Sequence, residues 1–329
     1  MTPASAGGAP PALAIDDLSV SFRGRHGTIN AVRQATLNVF PAECVGIVGE
    51  SGSGKTQTFM AVMGLLSAAA SAVGSVRFEG REILGAPVSE LNRVRGSKLT
   101  MVFQDPMSSL TPHLKVGVQL AEVLVKHSRM SWREAENAAL RVLERVRVPE
   151  ARRRLRQYPH ELSGGMRQRV MIGMSLLCEP SLLIADEPTT ALDVTVQAQI
   201  MDILRAMRAE SHMAIVLISH DLGLVAGLAD RIVVMYAGRV VESAGAADLL
   251  GRAVHPYTAA LLKCVPDLRA PRLERMPSLA GQPPSAWSLG TGCAFAPRCP
   301  SARERCNSER PVLRDVDGTA HQAACHYPL

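Results

Sequence analysis

An α/β fold built on a parallel central sheet is what the 329-residue sequence predicts, and three observations predict it. Short β-rich runs alternate with helical patterns over the first three quarters of the chain, the signature of an α/β domain. Several runs, such as "LLIAD" and "AIVLIS", are apolar almost without interruption and so suit strands covered on both faces. Lastly, "GESGSGKT", Gly49 to Thr56, stands between such a run and a helical pattern, the context in which a glycine-rich turn cradles phosphates.

In chain order, "MTPASAGGAPPALA" has neither a basic n-region nor a long apolar core, so it is no secretory signal and reads as a disordered lead-in over 1–12. Strand candidates follow at "LSVSF", "CVGIVG", "SVRFEG", "LTMVFQ", "LLIAD", "AIVLIS", "RIVVMY" and "GRVVES". Helical spacing covers 56–66, 132–146, 164–178 and 194–210. After Pro266 the composition changes. "VPDLRAPRLERMPSLAGQPPSAWSLG" is rich in Pro, Arg and Ser without periodicity and reads as a linker. The expected organisation is therefore a lead-in (1–12), a nucleotide-binding domain (13–265), a linker (266–290) and a cysteine-bearing segment (291–329).

Hydrophobic residues make up 47% of the chain and charged ones 20%, an ordinary globular balance, but aromatics are only 4%, so aliphatic side chains must form most of the core. The formal charge of +6 fits a phosphorylated ligand, an anionic membrane face, nucleic acid or merely a basic solvated surface, and chooses among none of them. No uncharged apolar run reaches the roughly 18 to 20 residues a bilayer span needs. The longest candidate, "VMIGMSLLCEPSLLIAD", is broken by Glu179 and Pro180.

The phosphate loop has a direct physical reading. Glycines let the backbone of Gly49, Ser51, Gly52, Ser53, Gly54, Lys55, Thr56 and Gln57 curl so that successive N–H groups face an anion at a helix start. Lys55 adds a point charge for the terminal phosphates, and the Thr56 hydroxyl is placed to ligate Mg²⁺. A nucleoside triphosphate is the expected ligand. "LLIAD" delivers a second carboxylate, Asp186, to the Mg²⁺ shell, and Glu187 follows it, placed to polarise an attacking water. "DEPTTALD" also contains residues suited to cap the next helix, the minor reading once a phosphate loop stands upstream. His220, at the end of "AIVLIS", is positioned for a γ-phosphate contact or for a structural role.

"LSGGMRQR", shortly before "LLIADE", resembles the signature motif of ATP-binding-cassette ATPases. Gln104 in "MVFQDP", "ALD" at 191–193 and His220 extend the resemblance from about Leu18 to Glu242; Met166, where many members carry Gln, departs from it. The resemblance implies a P-loop NTPase of cassette type: a mixed-sheet core, a helical signature subdomain and an antiparallel β subdomain, with a small cysteine-stapled segment appended. It implies ATP hydrolysis, with Mg²⁺ on Thr56, Gln104 and Asp186, Glu187 and His220 as catalytic residues, and Phe22 stacking on adenine. It also implies two ATPase subunits sandwiching two nucleotides, Ser163, Gly164, Gly165 and Asp193 contacting the partner's ATP. The signature residues open a helix and so offer a hydroxyl and free N–H groups to an anion.

A closer resemblance, to the ATPase subunits of dipeptide, oligopeptide and nickel importers, rests on "MVFQDPMSSLTP", "YPHELSGGMRQRVMI", "HPYTAALL" and "GCAFAPRCPSARERC". It implies a second ATPase subunit, identical or different, two membrane permeases and an extracytoplasmic solute-binding protein. The location it implies is peripheral, on the cytoplasmic face of the inner membrane. Peptides are the expected cargo, with nickel or another small solute as the alternative. Cassette ATPases acting on nucleic acid or ribosomes usually insert a long coiled coil. The stretch between Thr56 and Leu162 has no sustained heptads, so no nucleic acid is expected.

Four of the seven cysteines lie in the last 37 residues: Cys293, Cys299, Cys306 and Cys325, separated by 5, 6 and 18 residues. Four thiolates suit either tetrahedral Zn²⁺ or a [4Fe–4S] cluster, and the gaps are wider than the paired spacing of common zinc ribbons. The family resemblance implies the iron–sulfur centre, with zinc the alternative. His321 and His326 flank Cys325 as substitute ligands or bystanders.

Overall fold

The unbroken apolar runs become buried strands, and in the computed structural model every residue of Cys44–Val48, Leu182–Asp186 and Ala214–Ser219 is buried. The structure describes residues 9–24, 27–104, 109–190, 192–265, 279–285, 289–316, 318 and 320–329. Most of the expected lead-in (1–8), much of the expected linker (266–278 and 286–288) and Ala191 of "ALD" lie outside the described residues. The chain forms two compact units, the first built from residues up to Phe40, Cys44–Gly85 and Ile218–Leu329, the second from Pro41–Glu43 and Ala86–Leu217.

In the first unit an antiparallel sheet runs in the order Gly27–Val39, Leu13–Gly24, Ala70–Phe78, Arg81–Glu82. The strand Gly27–Val39 is absent from the sequence expectation, and its geometry explains why. Asp17 and Gln34 both take left-handed backbone (φ 49° and 52°), breaking the two-residue alternation by a register shift. Hydroxyls replace the lost ladder bonds: Asp17 N–H donates to Thr36 Oγ1 and Gln34 N–H to Ser19 Oγ. A second set of strands is ordered Arg314–Asp315, Gln322–Ala323, Arg239–Gly245, Arg231–Tyr236, Cys44–Val48. Its last pair is parallel and the others antiparallel. Gly46 is required there, because a Cβ would stand 2.0 Å from Val225 Cγ1 on the covering helix.

The cysteine-bearing end thus pairs directly with the sheet, Ala323 opposite Glu242. Glu242 is fully buried, and its carboxylate accepts from the N–H groups of Val254 (2.8 Å) and His255 (3.1 Å) and from His321 Nε2 (2.7 Å). A buried charge is tolerated only when surrounded by donors, and these three come from the helix approach and from the tail. His321 is therefore engaged by a carboxylate, and His326 Nε2 lies 2.9 Å from the Glu309 carbonyl.

The second unit holds Leu99–Val102 parallel to Leu182–Asp186, with Ala214–Ser219 next in order and its first four residues ending the unit. Around these strands lie helices Val116–Ser128, Trp132–Arg145, Gly164–Leu176 and Val194–Ser211. Trp132–Arg145 starts at a reciprocal cap, Ser131 with Glu134, and buries Ala135, Ala139, Val142 and Leu143 at helical spacing. Val116–Ser128 was not expected. It opens with valines flanking a glycine, a β-like pattern, and the fold fixes it where Gly117 lets the Leu155 carbonyl approach.

Burial lowers the His255 imidazole from its ordinary 6.5 to about 4. Between those values the unfolded chain takes up a proton that the folded chain refuses, so stability is full above about pH 6.5 and falls as pH drops toward 4. At pH 5 the expected loss is about 2 kcal/mol, from a gap of about 1.5 pH units. Thermal melts at pH 7 and pH 5 check this: the drop in Tm should be smaller in His255→Asn than in the unsubstituted chain, and an equal drop would refute it.

Candidate functional site

The first unit carries the phosphate loop. The buried strand Cys44–Val48 ends at Gly49, whose φ is 153° and whose absent Cβ would stand 2.2 Å from the Met235 carbonyl oxygen. Gly54 caps the helix Lys55–Val62 in left-handed backbone, φ 98°, and lies so close to the Ala31 carbonyl that a Cβ would be 2.5 Å from it. Only glycine meets both demands. Between them Ser53 N–H turns back to the Glu50 carbonyl (3.2 Å), and Gly238 N–H holds the Ser53 carbonyl (3.0 Å).

Lys55 is 5% exposed. Its ammonium donates to the carbonyls of Gly49 (2.7 Å) and Glu50 (3.0 Å) and to Ser53 Oγ (3.4 Å). Ser51 and Gly52 crown the loop in solvent, Thr56 and Gln57 are half-buried at the helix start, and no acidic residue occupies the first turn to compete with an anion. Phe22 lies half-buried near the end of its strand, opposite Ile29 and Ala70. His220 is exposed after Ala214–Ser219, just before Asp221, which caps the following helix.

The second unit carries the carboxylates. Asp186 ends its strand at 2% exposure, and Glu187 takes left-handed backbone, φ 47°, a strain of about 1–2 kcal/mol for a residue with a Cβ. The structure brings Gln104 to it: Glu187 Oε2 accepts from Gln104 Nε2 (2.9 Å) and from Thr190 Oγ1 (2.8 Å). The sequence pattern carried no sign of Thr190. Ser163 caps Gly164–Leu176, accepting from Met166 N–H, and Asp193 caps Val194–Ser211, accepting from Val196 N–H. Both caps are exposed, and the two helix starts are neighbours, since a Cβ on Gly165 would be 2.9 Å from Val196 Cγ1.

Near the C-terminus, Cys293, Cys299, Cys306 and Cys325 line one small cavity of about 20 Å³, with Phe295, His326 and Tyr327. Gly292 permits this closeness, because a Cβ there would stand 2.5 Å from the Cys306 carbonyl. Burial pushes the Cys293, Cys299 and Cys325 thiols up, and the proximity of the other cysteines adds to it. Among the described residues no group of three or more His, Cys, Asp or Glu side chains is arranged to hold a single metal ion.

Sequence reasoning missed one loop partner. Tyr257, in "HPYTAALL", is fully buried, and its hydroxyl accepts the Glu50 N–H at 2.9 Å. Its ring meets those of Tyr236 (4.5 Å between centroids) and Phe295 (5.4 Å). In a chain this poor in aromatics, the Tyr and Phe of "HPYTAALL" and "GCAFAP" were the available signal.

A family model described as "ABC transporter" matches residues 32–190, and one described as "Oligopeptide/dipeptide transporter, C-terminal region" matches residues 241–306. The chain is 51% identical to the oligopeptide transport ATP-binding protein OppD of Escherichia coli K12, over 96% of this chain and 93% of that one. It is 52% identical to the protein of the same name from Salmonella typhimurium, over 96% and 94%. Among solved structures, the ATP-binding cassette MJ0796, a dimer in a post-hydrolysis state bound to ADP and Pi, superposes with a TM-score of 0.65 at 28% identity, covering 71% of this chain and 98% of that one.

Proposed function

This chain belongs to the ABC transporter family of ATP-binding cassettes, and from that premise we propose that its ATP hydrolysis powers the import of peptides through a membrane transporter. The observation that carries the reading is continuity: similarity to oligopeptide transport ATP-binding proteins runs across 96% of the chain, through the phosphate loop and into the cysteine-bearing end.

Within this proposal each unit has a share of the work. From the first, Lys55 and the amides of Gly49–Gln57 hold the β- and γ-phosphates, Phe22 stacks on adenine, and His220 contacts the γ-phosphate. From the second, Asp186 and Gln104, with Thr56 of the first, offer the hard oxygen donors that Mg²⁺ takes. Glu187 orients a water and accepts its proton as the water oxygen bonds to the γ-phosphorus and the bond to the bridging oxygen breaks, leaving ADP and phosphate. Its position between Gln104 and Thr190 supports this role, because both donors hold the carboxylate aimed. Ser163, Gly164, Gly165 and Asp193 complete the partner subunit's nucleotide site, and the exposure of Ser163, Gly164 and Asp193 on capped helix starts supports it.

Two ATPase subunits then act beneath two permeases, with an extracytoplasmic binding protein delivering the peptide. The attachment proposed is peripheral, at the cytoplasmic face of the inner membrane; among the described residues no helix is long and apolar enough to cross a membrane.

For the cysteine segment the proposal is one [4Fe–4S] centre on Cys293, Cys299, Cys306 and Cys325. Four thiols lining one small cavity supply the ligand number that such a cluster takes, with Zn²⁺ as the alternative. Such a centre supplies a covalent staple to a segment with few apolar residues.

Glu187→Gln is expected to keep ATP affinity while hydrolysis by the assembled transporter falls about 100-fold or more; a normal hydrolysis rate would remove Glu187 from its role. Anaerobically purified protein should carry iron and inorganic sulfide with broad visible absorbance. Stoichiometric zinc, or neither metal, would contradict the cluster.

A further inference from the structure

Glu50 is the second residue of "GESGSGKT", and no phosphate-binding role falls to its side chain. Its carboxylate is nonetheless held by a two-pronged ion pair from the far end of the chain. Arg298 Nη1 donates to Oε2 at 2.7 Å and Nη2 to Oε1 at 3.0 Å. The Arg298 side chain is only 5% exposed, and Glu50 is 23% exposed. Arg298 also donates through Nη1 to the Tyr236 hydroxyl (3.2 Å) and through Nε to the Ala280 carbonyl (2.9 Å). Few guanidiniums are so fully committed. The pair fixes orientation as well as charge, because two parallel hydrogen bonds allow one relative geometry.

The rest of Glu50 is equally constrained. Its N–H donates to Tyr257, and its carbonyl accepts from Lys55 Nζ. The residue bonded to the loop's phosphate-seeking cation is therefore the residue gripped by Arg298. On its other side Arg298 precedes Cys299, and the short turn Ala296–Arg298 follows Phe295, which is 2% exposed against Tyr236 and Tyr257. The same segment closes on itself where Cys293 N–H donates to the Cys306 carbonyl at 2.7 Å.

We infer that Arg298 is a positioning residue for ATP: through Glu50 it holds the phosphate loop in its binding shape and couples the order of the cysteine segment to nucleotide affinity. Two effects combine. The grip sets where the Gly49 and Glu50 carbonyls present themselves to Lys55, and it neutralises a carboxylate next to the backbone that must receive a polyanion. An uncompensated Glu50 would repel the phosphates at short range in a poorly solvated site. Coupling of this kind is reciprocal, so a nucleotide that tightens the loop must also tighten the segment around Arg298.

The inference rests on the phosphate-loop reading, and the test separates the two. MgATP affinity is measured by equilibrium dialysis on the full chain, kcat and KM on the assembled transporter. Arg298→Ala and the near-isosteric Glu50→Gln should each weaken MgATP affinity and raise KM about 10-fold, with kcat at saturating ATP changed less than about twofold. Arg298→Lys, which keeps the charge but not the fork, should recover only part of the loss. The double variant should be no worse than the weaker single, because both remove one interaction. Hydrogen exchange of the peptides covering residues 293–306 should slow on adding MgATP, and this protection should vanish in Glu50→Gln. If Arg298→Ala does not fold, Glu50→Gln carries both measurements. Affinity within twofold of the unsubstituted chain, a loss confined to kcat, or exchange indifferent to MgATP would each overturn the coupling. Lys55→Ala is the control for the loop itself: if it still binds MgATP normally, the loop reading fails, whereas its loss beside an intact Glu50→Gln sinks only the role of Arg298.

Discussion

A buried ammonium needs oxygen around it, and much of the first unit is built to satisfy that need at Lys55. Gly49, Glu50 and Ser53, in the loop that precedes it, each give it an oxygen. They converge only because Gly49 and Gly54 take backbone shapes, and approach neighbouring carbonyls, in ways closed to a residue with a Cβ. The buried strand aims the loop, the turn at Gly238 pins Ser53, and Tyr257 and Arg298 pin Glu50. The result is a preorganised cation, and under the proposed function the loop meets the nucleotide's phosphates already in shape.

The second unit solves the complementary problem of holding anions ready. Asp186 is delivered by a strand with no exposed residue, so its placement is as rigid as the core. Glu187 is forced into left-handed backbone and then tied by two donors, a local cost that the surrounding fold sustains. Helix caps take a double part here. Ser163 and Asp193 each satisfy an N–H of their own helix while standing exposed beside further unbonded ones, so the alternatives of capping and anion contact are compatible.

Legibility in the sequence followed the range of the interactions. The phosphate loop, the Asp186–Glu187 strand end and the signature helix could be read because their chemistry is local: glycine spacing, an apolar run and a cap occur within a dozen residues. The strand Gly27–Val39 escaped because a bulge interrupts its alternation, and Val116–Ser128 because its valines look like strand. The grip on Glu50 was invisible for another reason. Its partners stand 207 and 248 residues away, and the scarce aromatics beside them mark a packed cluster without marking Glu50 as its destination. The cysteines were legible as a cluster by their spacing, but not their attachment to the sheet through Gln322–Ala323 and Glu242.

Membrane vesicles containing the assembled transporter, with ATP inside and a labelled oligopeptide with its binding protein outside, bring motor and cargo into one measurement. If this chain powers peptide import, labelled peptide accumulates against its gradient, and ATP consumption rises with peptide concentration. ATP consumption indifferent to peptide, with no label entering, would contradict it.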